Sequence, residues 1–465
     1  MKLRYLCSVL SLGLIIFCGC SAGGFYYYND QPSGKIAGTR VEIEKFSPVY
    51  TDRTPVILIH GLWGAVLQDK NNKNLPVWGE LSCFAPTAEK RYTAMALMPN
   101  QKSSATATDI LRTTRANFCG MEFEIENYSR IIKLLQAIGY VPEKSLLPEG
   151  CHYSTLFIYY YDWRKSIDEN AAGLAAFIEE KKEYLNNQFK TCSKHNNKEI
   201  RFDLLGHSMG GLIARYYVEY GLQKLGNGKN PLPRRNWYGA KNIRKLVMAG
   251  TPNAGYADTL LELVKGVSFD SRLPHIPAGV LATFPSYYQM LPDVSKETVR
   301  YRGSGKAVDI FNVDLWQKYK WGLFENNSFN RNLLAKLYPD LPENERQAAA
   351  AEYVGKLLNK ASRFKLLFRK PVGLPPEPVK YYLFASAGLE TNSLIEVDDA
   401  NGALTVAGVA PGDGKVTFRS SGFERGKREN SLLFSDIYML DGGHMGFMDS
   451  VIFAGNLALV LHSEL

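Results

Sequence analysis

The chain has 465 residues, enough to bury a large core as one domain with insertions or as two domains. Hydrophobic residues make up 45% of the chain and charged residues 22%, a composition typical of soluble globular proteins. The 55 basic and 46 acidic residues give a net charge of +9, but they are spread along the sequence and do not indicate nucleic-acid binding.

The first twenty residues are typical of a targeting segment. Lys2 and Arg4 precede an apolar run over residues 6–17 that is short for a membrane span. A small residue followed by Cys20 makes the segment similar to a bacterial lipoprotein signal, in which Cys20 becomes the acylated first residue. Ordinary secretion with cleavage nearby is the alternative. We expect an exported protein, anchored by lipid to the bacterial cell envelope in the periplasm or outer membrane.

Four cysteines follow this signal: Cys83, Cys119, Cys151 and Cys192. In an oxidising compartment their even number permits two disulfides. Sequence order favours Cys83 with Cys119 and Cys151 with Cys192 among three possible pairings, and free buried thiols are the alternative. No CxxC or His/Cys cluster has metal-ligand spacing, so no structural metal is predicted.

Residues 21–54 have no clear period and are predicted to form a tether. The following Pro-Val-Ile-Leu-Ile-His-Gly, residues 55–61, indicates a buried strand that glycine ends. The loop that follows this strand begins with Leu62 and Trp63.

The next segments alternate between irregular and periodic patterns. Residues 68–117 have an irregular pattern, which predicts loop and short helices that lie over the candidate active site. An Asp162–Arg164 pair follows the next predicted strand and is interpreted as a structural ion pair. The periodic segments predict a helix over Tyr128–Ile138, a strand over Ser154–Tyr161 and a helix over Asn170–Leu185.

The sequence Gly206-His-Ser-Met-Gly210 lies between a strand pattern and a helix pattern. In this context G-x-S-x-G predicts a sharp turn that lifts the serine hydroxyl clear of the sheet. The flanking glycines are needed because a Cβ would collide with the neighbouring strand or helix. Ser208 is therefore the candidate nucleophile. In hydrolases with such a turn, the loop after the first buried strand supplies one backbone N–H to the developing oxyanion, here that of Leu62 or Trp63. The residue after the nucleophile supplies the second, here Met209.

A further buried strand is predicted over Ile243–Ala249 and a last clear one over Lys380–Ser386. The alternation of strands and helices is the signature of a doubly wound, mostly parallel sheet in the α/β class. Residues 256–380 interrupt it with proline-punctuated amphipathic pieces, which predicts an inserted, partly helical cap or lid. The predicted core is then formed by residues 55–255 and 381–465.

A serine nucleophile needs a base and an acid that orients the base, here in the chain order Ser, acid, His. His444 is the candidate base because it lies in a glycine-rich loop after a strand-like stretch, whereas His275 lies in the cap and His462 near the end of the chain. Asp413, in a turn predicted to lead into a strand, is the candidate acid. Its rivals Asp441 and Asp449 are close to His444 in sequence, and His207 is interpreted as packing beside the serine.

These residues predict acyl transfer without a metal or organic cofactor. Ser208, activated by His444, would attack an ester carbonyl, and water or an alcohol would release the acyl group. The chain resembles the lecithin:cholesterol acyltransferase-like lipases and acyltransferases of the α/β-hydrolase superfamily. Seven segments in the family's order carry the resemblance: Pro55–Gly64, Tyr161–Arg164, Gly206–Leu212, Gly250–Gly255, Phe284–Pro292, Gly412–Val416 and His444.

The resemblance implies Ser208, Asp413 and His444 as triad, and Trp63 and Met209 as oxyanion donors. It also implies a loop closed by Cys83 and Cys119 near the entrance, and ester-linked lipids as substrates. The lipid anchor and the cap are expected to bring the protein to a membrane surface. The chain departs from the family's usual residues in two places: it has His60 for proline and Lys415 for threonine.

Three functions are therefore compared. An exported lipase or phospholipase-type esterase leads, an acyltransferase to a sterol or other alcohol is the second, and a noncatalytic envelope binding protein is the third.

Overall fold

The computed structural model describes residues 53–71, 76–82, 88–99, 103–118, 121–147, 152–190, 199–228, 230–269, 275–293, 298–370, 376, 378–422 and 434–463. Within these ranges, side chains are not described for residues 80–82, 88–89, 115–118 and 121–126. Cys20 and the four disulfide candidates, Cys83, Cys119, Cys151 and Cys192, lie outside the described residues. The lipid anchor and the disulfides therefore stay predictions.

The described strands follow one another along the chain. They are β1 (Val56–Ile59), β2 (Ala65–Asp69), β3 (Pro76–Trp78), β4 (Glu80–Ser82), β5 (Ala105–Ile110), β6 (Thr113–Phe118), β7 (Met121–Glu126), β8 (Leu156–Tyr159), β9 (Phe202–His207), β10 (Ile243–Ala249), β11 (Val299–Tyr301), β12 (Lys380–Ser386), β13 (Leu389–Val397), β14 (Leu404–Gly412) and β15 (Phe434–Leu440).

The described helices range from one turn to 27 residues. They are α1 (Ala88–Met95), α2 (Ser129–Ala137), α3 (Ile167–Lys190), α4 (Met209–Tyr220), α5 (Asp258–Lys265), α6 (Ala278–Leu281), α7 (Pro285–Gln289), α8 (Val313–Lys318), α9 (Ser328–Leu337), α10 (Glu343–Arg369), α11 (Phe418–Gly422) and α12 (Val451–His462), with short 3-10 helices at Ala240–Asn242, Gly322–Phe324 and Gly446–Asp449.

Six parallel strands form the central sheet in the order β15-β12-β10-β9-β1-β8. The predicted doubly wound parallel sheet of an α/β fold is confirmed. From β1 the chain first adds β8 on one side and then β9, β10, β12 and β15 on the other. The strand order thus reverses at β1, and ligands of open α/β sheets bind beyond the carboxyl ends of strands at such a switch point.

The two faces of the sheet are both buried, as the continuous apolar sequence of β1 predicts. Ile57 and Ile59 point into one hydrophobic core, which is shared with α3, α4 and the cap. Val56 and Leu58 point into the other core, against α2 and α12. Alternate residues of one strand therefore fix helices on opposite faces, and this holds β1 and the loop after it rigidly in the centre.

The stretch between β1 and α2 differs from the expectation. The expectation of loop and short helices over residues 68–117 is wrong for most of the segment, because its described residues form several strands and one helix. These strands form two small sheets, β3-β2-β5 and β4-β6-β7. The sequence of β5, Ala-Thr-Ala-Thr-Asp-Ile, alternates small apolar and polar residues, but Ile110 is its only large apolar residue, so the local signal for a half-buried strand is weak.

The segment predicted as a cap contains helices α5 to α10 and the short strand β11. Helix α10 is the longest of the described helices and extends over 27 residues. Strand β11 pairs with β13, and β13 pairs with β14, in a separate three-stranded sheet. The hairpin β13–β14 thus joins the cap to the carboxyl-terminal segment, while the domain boundaries themselves stay predictions. Among the described helices, none combines the length and the apolar character needed to cross a membrane.

Candidate active site

Ser208 lies in the turn between β9 and α4, beyond the carboxyl end of the sheet. Its φ of 52° and ψ of −123° are uncommon for a residue with a side chain, and they are held by the Ser208 N–H, which donates to the Ala249 carbonyl at 2.7 Å. A Cβ on Gly210 would collide with the carbonyl oxygens of Ile59 and His60. The sharp turn therefore depends on glycine, as G-x-S-x-G predicts.

Three side chains from distant parts of the sequence form one hydrogen-bonded series. His444 Nε2 lies 2.9 Å from the Ser208 hydroxyl oxygen, and His444 Nδ1 lies 2.7 Å from Asp413 Oδ2. Because the Asp413 carboxylate accepts, Nδ1 carries the proton and Nε2 is free to take the hydroxyl proton. The structure brings together the three residues that were predicted to act as nucleophile, base and acid.

Asp413 is almost completely buried, and its two carboxylate oxygens have different partners. Oδ1 accepts from the N–H groups of Lys415 and Val416 at 2.9 and 2.7 Å, while Oδ2 accepts from His444. Burial by itself raises the pKa of the Asp413 carboxyl, but attraction to His444 and these hydrogen bonds outweigh burial and hold the pKa below its ordinary value. An ionised carboxylate in this position stabilises a protonated imidazole.

The local structure around Asp413 corrects one expectation. Asp413 is predicted in a turn leading into a strand, but the strand β14 precedes it and the helix α11 follows it. The Thr391 hydroxyl of β13 accepts from the Gly414 N–H at 2.8 Å and holds this turn against the hairpin. The acid is therefore presented by the end of the β13–β14 hairpin, outside the central sheet.

Gly250, at the end of β10, is a site residue that the sequence marks only as part of a motif. Its φ is +59°, and a Cβ there would lie 3.3 Å from Asp413 Oδ2 and 3.3 Å from His444 Cε1. A glycine after a buried strand is a usable signal, because such positions often allow a close approach of backbone to other groups. Here the close approach is to the acid and the base.

The candidate oxyanion donors lie around the end of β1 and the start of α4. Gly61 N–H donates to the Tyr128 hydroxyl at 2.7 Å and Gly64 N–H to the Gly61 carbonyl at 3.2 Å, so neither is available. Within the described residues, the N–H groups of Leu62, Trp63 and Met209 have no protein acceptor. Trp63 has a φ of 64°, unusual for a tryptophan.

His207 is expected to pack beside the serine, and its ring lies between two loops of the site. Its Nε2 donates to the His444 carbonyl at 3.0 Å, and its Nδ1 accepts from the Tyr128 hydroxyl at 2.7 Å. That hydroxyl in turn accepts from Gly61 N–H. Burial lowers the pKa of His207 to about 3, and nearby His444 adds to this, so the ring stays neutral and serves as a bridge.

The Tyr-Asp-Trp-Arg segment forms a scaffold under the oxyanion residues. The Arg164 guanidinium is fully buried and pairs with Asp162 at 2.7 Å, which agrees with the structural ion pair expected there. Arg164 also donates to the carbonyls of Met95 and Ala105. The ring of Tyr161 stacks on His60 with centroids 4.1 Å apart, and burial lowers the pKa of His60 to about 3.

The other candidate acids and bases have partners of their own. Asp449 pairs with Arg130 at 2.6 Å, and His275 Nδ1 lies 3.0 Å from the Ser268 hydroxyl. His462 lies in α12 and stacks against Tyr140. Asp441 lies against Gly388, at the end of β12. Among the described residues no group of three or more His, Cys, Asp or Glu side chains is arranged to hold a metal ion.

Comparisons with known proteins were made at the level of family and of structure. The family model of lecithin:cholesterol acyltransferase matches residues 74–402, a range that contains Ser208 and ends before Asp413. A search of curated proteins found no match.

Among solved structures, a chain of the Tle4–Tli4 complex is 13% identical with a TM-score of 0.51, over 88% of this chain and 98% of that chain. The mature lipase BlEst2 of Bacillus licheniformis is 12% identical, with a TM-score of 0.33 over 90% of this chain and 94% of that chain. EstA from Clostridium botulinum is 11% identical, with a TM-score of 0.33 over 93% of this chain and 92% of that chain.

At such identities the first of these structures shows a common fold and nothing about substrate. The family match covers well over half of the chain. The chain belongs to the lecithin:cholesterol acyltransferase family of α/β-hydrolase enzymes, which hydrolyse or transfer esters.

Proposed function

We propose that this protein is an exported serine esterase that hydrolyses lipid esters through an acyl-enzyme on Ser208. The observation that carries the proposal is the series Ser208–His444–Asp413, with distances of 2.9 and 2.7 Å. The N–H groups of Leu62, Trp63 and Met209, which have no protein acceptor among the described residues, are the candidate oxyanion donors. This arrangement supports the proposal, because acyl transfer needs a nucleophile, an oriented base and donors to the oxyanion.

In the proposed first step, His444 Nε2 takes the proton of the Ser208 hydroxyl while the serine oxygen forms a bond to the ester carbonyl carbon. The carbonyl oxygen becomes an oxyanion, which the Met209 N–H and the N–H of Leu62 or Trp63 stabilise. The bond to the alcohol oxygen then breaks, and His444 returns its proton to that leaving oxygen. The ionised Asp413 stabilises the protonated imidazole throughout.

In the second step a water molecule attacks the acyl carbon and gives its proton to His444. The bond to the Ser208 oxygen breaks, the serine takes the proton back, and the fatty acid leaves. An alcohol in place of water would make a new ester by the same steps. Membership of an acyltransferase family is the observation that favours this second candidate, acyl transfer from a phospholipid to a sterol or another alcohol.

A substrate panel distinguishes the two activities. Short-chain esters, triglycerides and phospholipids are offered with and without a sterol, using wild type and Ser208→Ala, and both free fatty acid and sterol ester are quantified. We expect fatty-acid release to dominate and Ser208→Ala to lose it. Sterol ester formation above fatty-acid release would establish the transferase instead, and equal activity of wild type and Ser208→Ala would overturn the serine mechanism.

Export and lipid anchoring rest on the amino-terminal sequence. If Cys20 is the acylated first residue, cells given radioactive palmitate will label the wild-type protein and not Cys20→Ser. Fractionation should place the wild type with the membranes and Cys20→Ser in the soluble periplasmic fraction. If the wild type is not labelled, the lipid anchor is overturned and ordinary secretion takes its place. If the protein is found in the cytoplasm, export itself is overturned.

A further inference from the structure

A continuous polar path leads away from Trp63. The indole Nε1 of Trp63 donates to the Tyr287 hydroxyl at 3.1 Å, and that hydroxyl donates to Glu262 Oε2 at 3.1 Å. Tyr287 is fully buried in α7 and Glu262 is largely buried in α5. The first half of the path thus connects the loop of residues 61–64, called the oxyanion loop, with two helices of the cap segment.

The second half of the path leads from Glu262 to the triad acid. Glu262 Oε1 accepts from Lys415 Nζ at 2.9 Å, and Asp258 Oδ2 lies 3.3 Å from the same ammonium. The backbone N–H of Lys415 donates to Asp413 Oδ1. The turn of residues 412–417, called the acid loop, therefore binds the cap segment through the Lys415 side chain and the Asp413 carboxylate through the Lys415 backbone.

Each bond in this path satisfies a group that would be costly to bury alone. Glu262 is nine-tenths buried, and a buried carboxylate is destabilising unless a cation or several donors compensate it. Lys415 supplies that cation, and Asp258 holds Lys415 from a second side. Asn392 of β13 donates to Asp258 at 2.6 Å, which ties the cluster to the hairpin that carries Asp413.

Trp63 is the residue that most needs such support. A tryptophan with a φ of 64° is strained, and strained backbone persists only where the surroundings hold it. Its ring packs against Trp163 and Trp78, with centroids 4.2 and 4.6 Å apart, and the Trp78 indole N–H donates to the Trp63 carbonyl at 2.8 Å. The hydrogen bond to Tyr287 adds a second directional contact, which sets the rotation of the Trp63 indole and connects the oxyanion loop to the cap segment.

On this basis we propose that Glu262 and Tyr287 are positioning residues of the ester-cleaving reaction. Through the path from Trp63 to Asp413, they fix the position of the oxyanion loop relative to the acid loop. The proposal rests on the proposed serine mechanism. Glu262 and Tyr287 act through Trp63 and Lys415, and their contacts are with these side chains. Lys415 provides the connection that makes the path continuous.

The expected consequence is a loss of transition-state stabilisation with little change in substrate binding. Tyr287→Phe keeps the ring and removes the hydroxyl, so the Trp63 indole loses its acceptor. A misplaced donor costs less than a removed one, and we expect kcat to fall about 10- to 100-fold while KM changes by less than about threefold. Glu262→Gln keeps the acceptor for Tyr287 but loses the charge that holds Lys415, and should lower kcat about 10-fold.

The matched control is Tyr288→Phe. Tyr288 is the next residue of the same helix, equally buried, and its hydroxyl donates to the Ala282 carbonyl at 2.9 Å. This change removes the same atom from the same helix without touching the path. We expect kcat of Tyr288→Phe to stay within about twofold of wild type even if its Tm falls as much as that of Tyr287→Phe.

Lys415 supplies the rescue test. Lys415→Thr removes the cation and should lower kcat about 10-fold, whereas Lys415→Arg keeps a donor for Glu262 and should recover kcat to within about threefold of wild type. All variants are measured as full-length protein with a soluble short-chain ester, together with wild type and Ser208→Ala. Equal kcat for Tyr287→Phe and Tyr288→Phe, or equal loss in Lys415→Thr and Lys415→Arg, overturns the path. An active Ser208→Ala variant overturns the serine mechanism itself, and this result can be told apart from the two results that overturn the path.

Discussion

The two sides of Ser208 are held by different kinds of contact. On the nucleophile side, β1, β9 and the turn at Ser208 approach so closely that glycine is required, and a Cβ on Gly61 would lie 2.8 Å from Ser208 Cβ. On the acid and base side, Asp413 and His444 lie outside the central strands and are held by hydrogen bonds of side chains and loops. Steric fit therefore fixes one half of the site, and polar bonding fixes the other.

This difference predicts different responses to mutation. Replacing a glycine on the nucleophile side should disturb the backbone, so that activity and stability fall together. A substitution on the acid and base side should remove a charge or a hydrogen bond and lower activity with the fold intact. The following changes test the contrast in order of decreasing effect.

The largest effect is expected for Ser208→Ala. Removing the nucleophile leaves only binding and oxyanion stabilisation, so kcat should fall by about 10⁴-fold or more. The hydroxyl is small and Ser208 makes its main structural bond through the backbone N–H, so Tm should change by no more than a few degrees. Steady-state kinetics with a soluble ester and thermal unfolding of the same preparation give both values.

Asp413→Asn follows, with an expected loss of about 10³- to 10⁴-fold in kcat near neutral pH. The amide is nearly isosteric but uncharged, so it neither fixes the proton on His444 Nδ1 nor stabilises the imidazolium. Circular dichroism should show an unchanged fold. A variant that retains more than a tenth of wild-type kcat would contradict the assignment of Asp413 and return Asp441 and Asp449 to consideration.

Gly210→Ala is the test on the nucleophile side. The new methyl group collides with the backbone carbonyls at the end of β1, which cannot move without shifting the oxyanion loop. We expect about 100-fold lower kcat together with a loss of about 1–3 kcal/mol in the free energy of unfolding. Gly446→Ala is the control, because a Cβ there meets no atom within 4 Å. Loss of activity without loss of stability in Gly210→Ala would break the contrast.

The smallest predicted effect concerns stability as a function of pH. His60 and His207 have pKa values lowered to about 3 by burial, so below pH 6.5 the unfolded chain binds protons that the folded chain does not. The free energy of unfolding should therefore fall as pH decreases from about 6.5 toward 3, by about 1.4 kcal/mol per pH unit for each histidine. The lowered pKa of Asp413 adds a loss below about pH 4.

Urea unfolding at pH 4 to 7 checks this slope. His207→Gln should reduce the slope between pH 4 and 6 by about 1.4 kcal/mol per pH unit, because one proton fewer is taken up on unfolding. An unchanged slope would mean that His207 is protonated in the folded state, which contradicts its role as the neutral bridge between Tyr128 and His444.

The nucleophile side is largely predictable from sequence, and the reason is physical. The strand, the turn and the first helix turn around Ser208 are contiguous in the chain, and few turns between a strand and a helix require glycine at both 206 and 210. Strand β1 is a continuous apolar run, and β10 and β12 are mostly apolar, which predicts their bounds to within one residue. His444 can be predicted because the chain has only seven histidines.

The remainder depends on contacts between distant segments. The small sheets between β1 and α2 consist of strands of three to six residues, most of which carry few large apolar residues, so their pairing partners define them. Strand β7 is different, because Met-Glu-Phe-Glu-Ile-Glu alternates apolar and charged residues and could have been predicted. From the sequence, the turn of Asp413 is predicted to lead into a strand, because Lys415 and Val416 look like the start of one. In the structure the strand precedes Asp413 and a helix follows it. The path through Tyr287 and Glu262 has no sequence signature, since its members come from four separate segments that only the folded chain brings together.

Covalent labelling of the serine tests the central claim most directly. An alkyl fluorophosphonate is incubated with the full-length protein, and the adduct is measured by intact mass and located by peptide mapping. We predict one adduct per chain, on the peptide that contains Ser208, with labelling abolished in Ser208→Ala and slowed in Asp413→Asn. An active enzyme that takes no label, or one labelled at another residue, would contradict the serine mechanism.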